Sequence, residues 1–181
     1  DVRAYEVVAR LAKVADSKVM SFERYVLGSL LDEVLLAANQ RLTVMSSGRY
    51  SMHRAATTAD GRKRGGLDLE VLDTYTGHRR PVATLSGGEG FEASLSLTLG
   101  LADTVQATTG GIRLDAVFVD EGFGSLGQED LDAIIQALQG LQDGGRVVGL
   151  ISHVGELKER VPVQLEVVKG RTGSSARFLV P

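Results

Sequence analysis

The sequence predicts an α/β lobe with a parallel sheet at its centre and helices packed against it. Three observations carry that expectation. Two continuous apolar runs, residues 114–119 and 147–151, read as strands buried on both faces, as in a parallel sheet covered by helices. Each follows a stretch of helical periodicity, giving the order helix–strand–helix–strand. The length of 181 residues, 43% apolar and 24% charged, suits one domain or one large lobe of something bigger.

The elements follow in order. Tyr5, Val8, Ala12, Ala15, Val19 and Phe22 recur at alternating spacings of three and four, an a/d heptad seam. An ordinary amphipathic helix would give the same pattern over so short a span. From Leu27 the stripe widens through Leu30, Leu31, Val34, Leu35, Ala38 and Leu42, as expected of a helix docked on a globular body. One long helix is therefore expected to leave a coiled-coil seam and enter a domain, with an arm base over residues 1–36 and the lobe over 37–181. Ser46-Ser47-Gly48 ends it. Short strands at 50–56 and 67–75 flank a polar, glycine-rich loop at 57–66. Thr76-Gly77 turns the chain into His78-Arg79-Arg80-Pro81, and a strand-like piece at 82–85 runs into Ser86-Gly87-Gly88-Glu89. A long helix is expected over 94–107 and a loop over 108–111. Leu131, Ile134, Ile135, Leu138 and Leu141 form the next helix, closed by Gly144-Gly145. A short helix at 154–159 and strands at 163–169 and 176–180 finish the chain.

The absence of cysteine excludes disulfides and thiolate zinc sites. No signal peptide and no apolar run long enough to span a bilayer is present, so no membrane partner is expected. The first residue is Asp1 and lies inside a helical pattern, as in a chain cut or processed from a longer one. Residues 1–84 carry 13 Lys/Arg against 10 Asp/Glu, and residues 85–181 carry 7 against 13. Much of the basic excess lies in Arg62-Lys63-Arg64 and Arg79-Arg80, read either as phosphate-contacting surface or as solvated loop.

Two places carry chemistry. Ser86, Gly87 and Gly88 put a hydroxyl and two side-chain-free amides at a helix N-terminus, where unpaired N–H groups and a partial positive charge favour an anion such as phosphate. The same turn could equally serve as a plain helix cap. Asp120 and Glu121 end an apolar strand, where open α/β sheets place their ligand sites. One reading divides their labour, Asp120 holding a hydrated Mg²⁺ and Glu121 polarising an attacking water; the other makes both solvated loop acids. His153 follows the next strand, so in a parallel sheet it would emerge at the same edge, able to hydrogen-bond a phosphate or the water.

Taken together, the series Ser-Gly-Gly-Glu before a helix, apolar strand plus Asp-Glu, Gly124-Ser125-Leu126, and strand plus Ser-His resembles the C-terminal ATPase lobe of SbcC-type proteins. These belong to the DNA-repair branch of ABC ATPases related to chromosome-maintenance (SMC) proteins. The phrases Phe22-Glu-Arg-Tyr-Val-Leu27, Ala37-Ala-Asn-Gln-Arg-Leu42 and Asp120-Glu-Gly-Phe-Gly-Ser-Leu126 share the likeness, which covers essentially the whole chain. The resemblance implies an ABC-type lobe in which residues 85–89 are the ABC signature, Asp120-Glu121 the Walker B end, Gly124–Leu126 the D-loop and His153 the switch histidine. It assigns Asp120 to Mg²⁺, Glu121 to water activation and His153 to the γ-phosphate. Ser86, Gly87, Gly88 and Glu89 would meet ATP held by a second protomer, making the dimer ATP-dependent. It further implies an N-terminal lobe carrying the Walker A loop, an SbcD-type nuclease docking near the arm base, DNA as a partner, and a cytoplasmic, nucleoid-associated setting.

Two departures stand out. Nothing matches the phosphate-cradling G-x-x-x-x-G-K-[ST] loop, since residues 61–66 lack the Lys-Ser/Thr pair. In the family that loop lies in the N-terminal lobe, so this chain is expected not to hydrolyse ATP alone. Gly127 stands where the family usually has Asp, although Ser125 and Gln128 could form a capping box for the next helix. Two other readings compete. One is an SMC-like loader or recombination mediator. The other is a lobe serving mainly as a dimerisation and docking module.

Overall fold

The computed structural model describes residues 22–55, 67–109 and 114–180. The heptad seam as far as Val19, the loop over 57–66 and Arg62-Lys63-Arg64 lie outside those residues.

Helix α1 (Phe22–Met45) runs unbroken through residues 36–37, as one long helix entering the lobe would. What changes along it is burial. Leu27 and Leu30 are exposed, whereas Val34, Leu35, Ala38, Leu42 and Met45 are buried. It stops where Ser47 and Gly48 turn left-handed, and the Gly48 N–H donates back to the Thr43 carbonyl at 2.7 Å. The chain then forms an antiparallel sheet of β1 (Tyr50–Arg54), β2 (Leu69–Asp73) and β3 (His78–Pro81), in that order. Residues 78–81, expected as the exit of a turn, are thus a strand, because the reversal at Thr76-Gly77 pairs them with β2. Strand β1 lies at the sheet edge, and Asn39 of α1 closes it. Its side-chain amide donates to the Met52 carbonyl at 2.8 Å and accepts from the Met52 N–H at 2.7 Å.

A short 3-10 turn, Val82–Thr84, replaces the strand-like segment expected before the glycines. Helix α2 (Gly87–Thr109) then starts seven residues earlier than periodicity alone predicts. It crosses α1 at a close approach between Gly100 and Ala38. A Cβ on Gly100 would lie 2.7 Å from both the Ala38 nitrogen and the Val34 oxygen, so only glycine permits this separation. Beyond it lie β4 (Ala116–Asp120), a 3-10 turn at Phe123–Ser125, α3 (Gln128–Asp143), β5 (Val147–Ile151) and α4 (Gly155–Arg160). The chain ends in the hairpin β6 (Gln164–Lys169) and β7 (Ser174–Leu179).

Strands β4 and β5 pair in parallel, as expected. They are not buried on both faces: Phe118 is 70% and Val147 64% exposed, because the helices cover one face only. Helix α3 starts on Gly127 rather than on a Ser125–Gln128 capping box. The Gly127 N–H donates to the Asp130 carboxylate at 3.3 Å, half of such a box, since glycine has no side chain to return the bond. Among the described residues the core has two parts. One packs α1 and Ala93 of α2 on the antiparallel sheet; the other gathers Leu95, Leu99, Val119, Phe123, Leu131, Ile134, Leu138 and Leu157. Asp103 of α2 ties the elements together, accepting from Arg41 at 2.6 Å and from Arg146 at 2.7 Å.

Candidate functional site

Parallel pairing aligns Asp120 with Ile151, so β4 and β5 deliver their C-terminal residues to one edge. The Glu121 N–H continues the ladder, donating to the Ile151 carbonyl at 2.9 Å. There the backbone breaks away. Glu121 adopts φ 58° and Gly122 φ 97°, two successive left-handed residues immediately after the strand. A side chain in that region costs on the order of 1 kcal/mol, a strain characteristic of functional turns. The result sets Oε2 of Glu121 2.9 Å from Nδ1 of His153, with Glu121 about half exposed and His153 largely exposed. Beside His153, the Ser152 hydroxyl accepts from the Val154 N–H at 3.1 Å and rounds the chain off the strand. Asp120 is exposed at the same edge.

The second cluster is the start of α2. Ser86 and Glu89 form a reciprocal capping box: the Glu89 N–H donates to the Ser86 hydroxyl at 3.4 Å, and the Ser86 N–H to the Glu89 carboxylate at 2.9 Å. The Gly90 N–H, bonded to the Ser86 carbonyl at 2.8 Å, begins the regular helix. Gly87 and Gly88 are left with N–H groups of a first turn, which intrahelical bonding does not use. The Ser86 hydroxyl, having accepted one bond, keeps its proton to donate.

The resemblance implies that Glu89 meets ATP, but its carboxylate is turned to the chain's own groups. Oε1 accepts from the Tyr50 hydroxyl at 2.5 Å, and Oε2 accepts from Arg80 at 3.4 Å as well as from Ser86. Burial opposes this charge, yet the donors from Tyr50, Ser86 and Arg80 outweigh it and hold the carboxyl at about 2. Burial and the same bond push the Tyr50 hydroxyl up to about 12. Arg80, one of the basic residues considered for phosphate contact, is thereby engaged internally. The S-x-x-E spacing was the signal for the cap; Tyr50 and Arg80 gave none, because sheet pairing brings them there from 39 and 9 residues away.

The two clusters share a wall. Phe91 of α2 meets Phe123 edge-on at 5.2 Å, and a Cβ on Gly122 would lie 2.2 Å from the Phe91 ring. Gly87 and Gly88 pack on Ser125 of the 3-10 turn, where a Cβ would come within 3.5 and 3.3 Å respectively. Among the described residues no group of three or more His, Cys, Asp or Glu could hold a metal ion.

A family model described as "SbcC/RAD50-like, Walker B motif" matches residues 56–140, a span containing Asp120 and Glu121. The chain is 55% identical over 178 residues to the SbcC subunit of the SbcCD nuclease of Vibrio cholerae, covering 97% of this chain and 18% of that protein. It is 48% identical over 159 residues to the corresponding SbcC subunit of Treponema pallidum, covering 88% and 15%. It thus spans less than a fifth of the length of these relatives. Among solved structures, one from work on ATP-driven dimerisation and DNA-stimulated activation of SMC ATPases superposes with a TM-score of 0.64 at 13% identity, covering 86% of this chain and 89% of that one. The Smc head domain of Pyrococcus furiosus, bound to the C-terminal domain of ScpA, gives 0.60 at 13% identity, covering 82% and 35%. At such identity the likeness concerns the fold, an SMC-type head. The chain belongs to the SbcC/RAD50-like family and corresponds to a part of its SbcC members.

Proposed function

We propose that this lobe supplies the hydrolytic half of a nucleotide site and the trans-acting half of another, in a head that drives DNA end processing by a partner nuclease. The observation that carries the reading is the Glu121–His153 pair, 2.9 Å apart at the C-terminal edge of β4 and β5 beside Asp120. With Nδ1 donating to Oε2, Oε1 of Glu121 remains free to accept a proton from an attacking water. Nε2 of His153 then faces away from Glu121. In the imidazolium form it donates to a phosphate oxygen while Nδ1 keeps its bond to Glu121. Asp120 would hold Mg²⁺ through water, and the bound ion supplies neutralisation of phosphate charge.

At the other cluster the Ser86 hydroxyl and the Gly87 and Gly88 N–H groups supply donors for the γ-phosphate of ATP bound by a second protomer. Two such protomers would close on two nucleotides. The phosphate-cradling loop would come from an N-terminal lobe, and the uncovered face of β4 and β5 is a surface for that lobe. An SbcD-type nuclease and DNA complete the assembly in this reading, with α1 as the base of the arm.

In the full-length protein, Glu121→Gln should lower ATP turnover at least about 100-fold, as loss of a water-positioning group does, while ATP-dependent dimerisation persists. Steady-state hydrolysis and sedimentation with ATP read the two effects, and unchanged turnover would sink the mechanism. Residues 1–181 alone should show no hydrolysis until the N-terminal lobe is added.

A further inference from the structure

Glu89 receives more donors than a cap requires. Besides the Ser86 N–H, its carboxylate takes the Tyr50 hydroxyl from β1 and Arg80 from β3, with Arg49 3.9 Å away. Those donors are themselves braced. The Arg49 guanidinium stacks over the rings of Tyr50 at 4.7 Å and Tyr75 at 5.2 Å and donates to the buried Asp73 at 3.1 Å. Arg80 is pinned by the Thr84 carbonyl at 2.6 Å and hydroxyl at 2.9 Å, in the turn leading to Ser86. The antiparallel sheet thus grips the first turn of α2 through one side chain. To reach a nucleotide across a dimer interface, Glu89 would have to give up these bonds and its cap.

We infer that Glu89 is a positioning residue rather than a nucleotide ligand, and that Tyr50 and Arg80 act through it to set the orientation of Ser86, Gly87 and Gly88. The inference rests on the reading of that turn as the γ-phosphate-binding signature. The link is permanent: with its carboxyl held at about 2 and the Tyr50 hydroxyl at about 12, neither end changes charge near neutral pH. Removing the Tyr50 hydroxyl leaves its buried ring in the core and frees the first turn to tilt. A tilted turn binds phosphate less well without unfolding the domain.

The test uses the full-length protein with Tyr50→Phe, Arg80→Ala and Arg80→Lys, and with Ser86→Arg and Gly100→Ala as controls. Tyr50→Phe and Arg80→Ala should each weaken dimerisation by a non-hydrolysable ATP analogue about tenfold, the equivalent of one charge-assisted hydrogen bond. The KM for ATP should rise in step, and kcat measured at saturating ATP should change less. Arg80→Lys, which keeps a donor toward Oε2, should recover part of the loss. Gly100→Ala, which strains the fold elsewhere, should lower the thermal midpoint more than Tyr50→Phe yet leave dimerisation closer to wild type. If Tyr50→Phe and Arg80→Ala dimerise like wild type while Ser86→Arg does not, the inference is overturned and the signature reading stands. A loss of dimerisation that merely tracks the thermal midpoint across all variants also overturns it. If Ser86→Arg itself dimerises normally, the signature reading fails first.

Discussion

Glu92, one turn beyond Gly88, is 4% exposed and has two carboxylates, Asp130 and Glu89, among its surroundings. Burial first, then those two charges, raises its carboxyl from 4.5 to about 7. Because the folded value lies above the unfolded one, the native state favours the protonated form. The contribution of this group to stability is therefore fully present below about pH 4.5 and is lost as pH rises from there through about 7. The penalty at pH 8 is on the order of 3 kcal/mol. Glu92→Gln should remove it: variant and parent should unfold at similar urea concentrations at pH 5 and diverge by pH 8, with the variant the more stable. Parallel curves across that range would show that Glu92 is solvated.

At the scale of elements, α2 shows local chemistry outweighing propensity. Glycines disfavour a helix interior, so periodicity placed its start after them. The Ser86–Glu89 capping box starts it at Gly87 instead, in a first turn where glycine costs little. Gly100, in contrast, lies mid-helix for a packing reason. Gly100→Ala would press a methyl on the α1 backbone, and overpacking of this kind costs about 1–3 kcal/mol. Chemical denaturation should show that loss despite alanine's better helix propensity. A stabilised Gly100→Ala would mean that the helices separate freely. The same contact explains why the Leu27–Leu42 stripe is buried only from Val34 onward: α2 and the antiparallel sheet meet α1 there.

For the whole molecule, the decisive feature is apolar surface left open. Phe118 lies across Gly149 of β5 and is 70% exposed; Ile151, Leu165, Val167 and Phe178 are exposed as well. A soluble domain seldom leaves so large an apolar area uncovered unless something binds it. In the proposed head the N-terminal lobe covers the β4–β5 face. Phe118→Asp should therefore abolish association of residues 1–181 with that lobe, measured by calorimetry or co-purification. It should leave the thermal unfolding of this chain within about 0.5 kcal/mol, as an exposed substitution does. If the association survives, the N-terminal lobe docks elsewhere.

Read alone, the sequence determined what is written in local runs and spacings. The alternation of helices and apolar strands specified the α/β class, and Asp120-Glu121 and Ser152-His153 at the ends of two such strands specified which residues could share an edge. Parallel pairing brings those ends to one edge, and the left-handed turn at Glu121 and Gly122 completes the 2.9 Å approach of Glu121 to His153. Other features were decided by tertiary structure alone. The one-sided cover of β4 and β5 depends on how many layers pack, which no strand records. The role of Glu89 depends on Tyr50 and Arg80, delivered by cross-strand pairing over distances that local patterns do not encode. A carboxylate beside two glycines reads as a ligand until the sheet that grips it is in place.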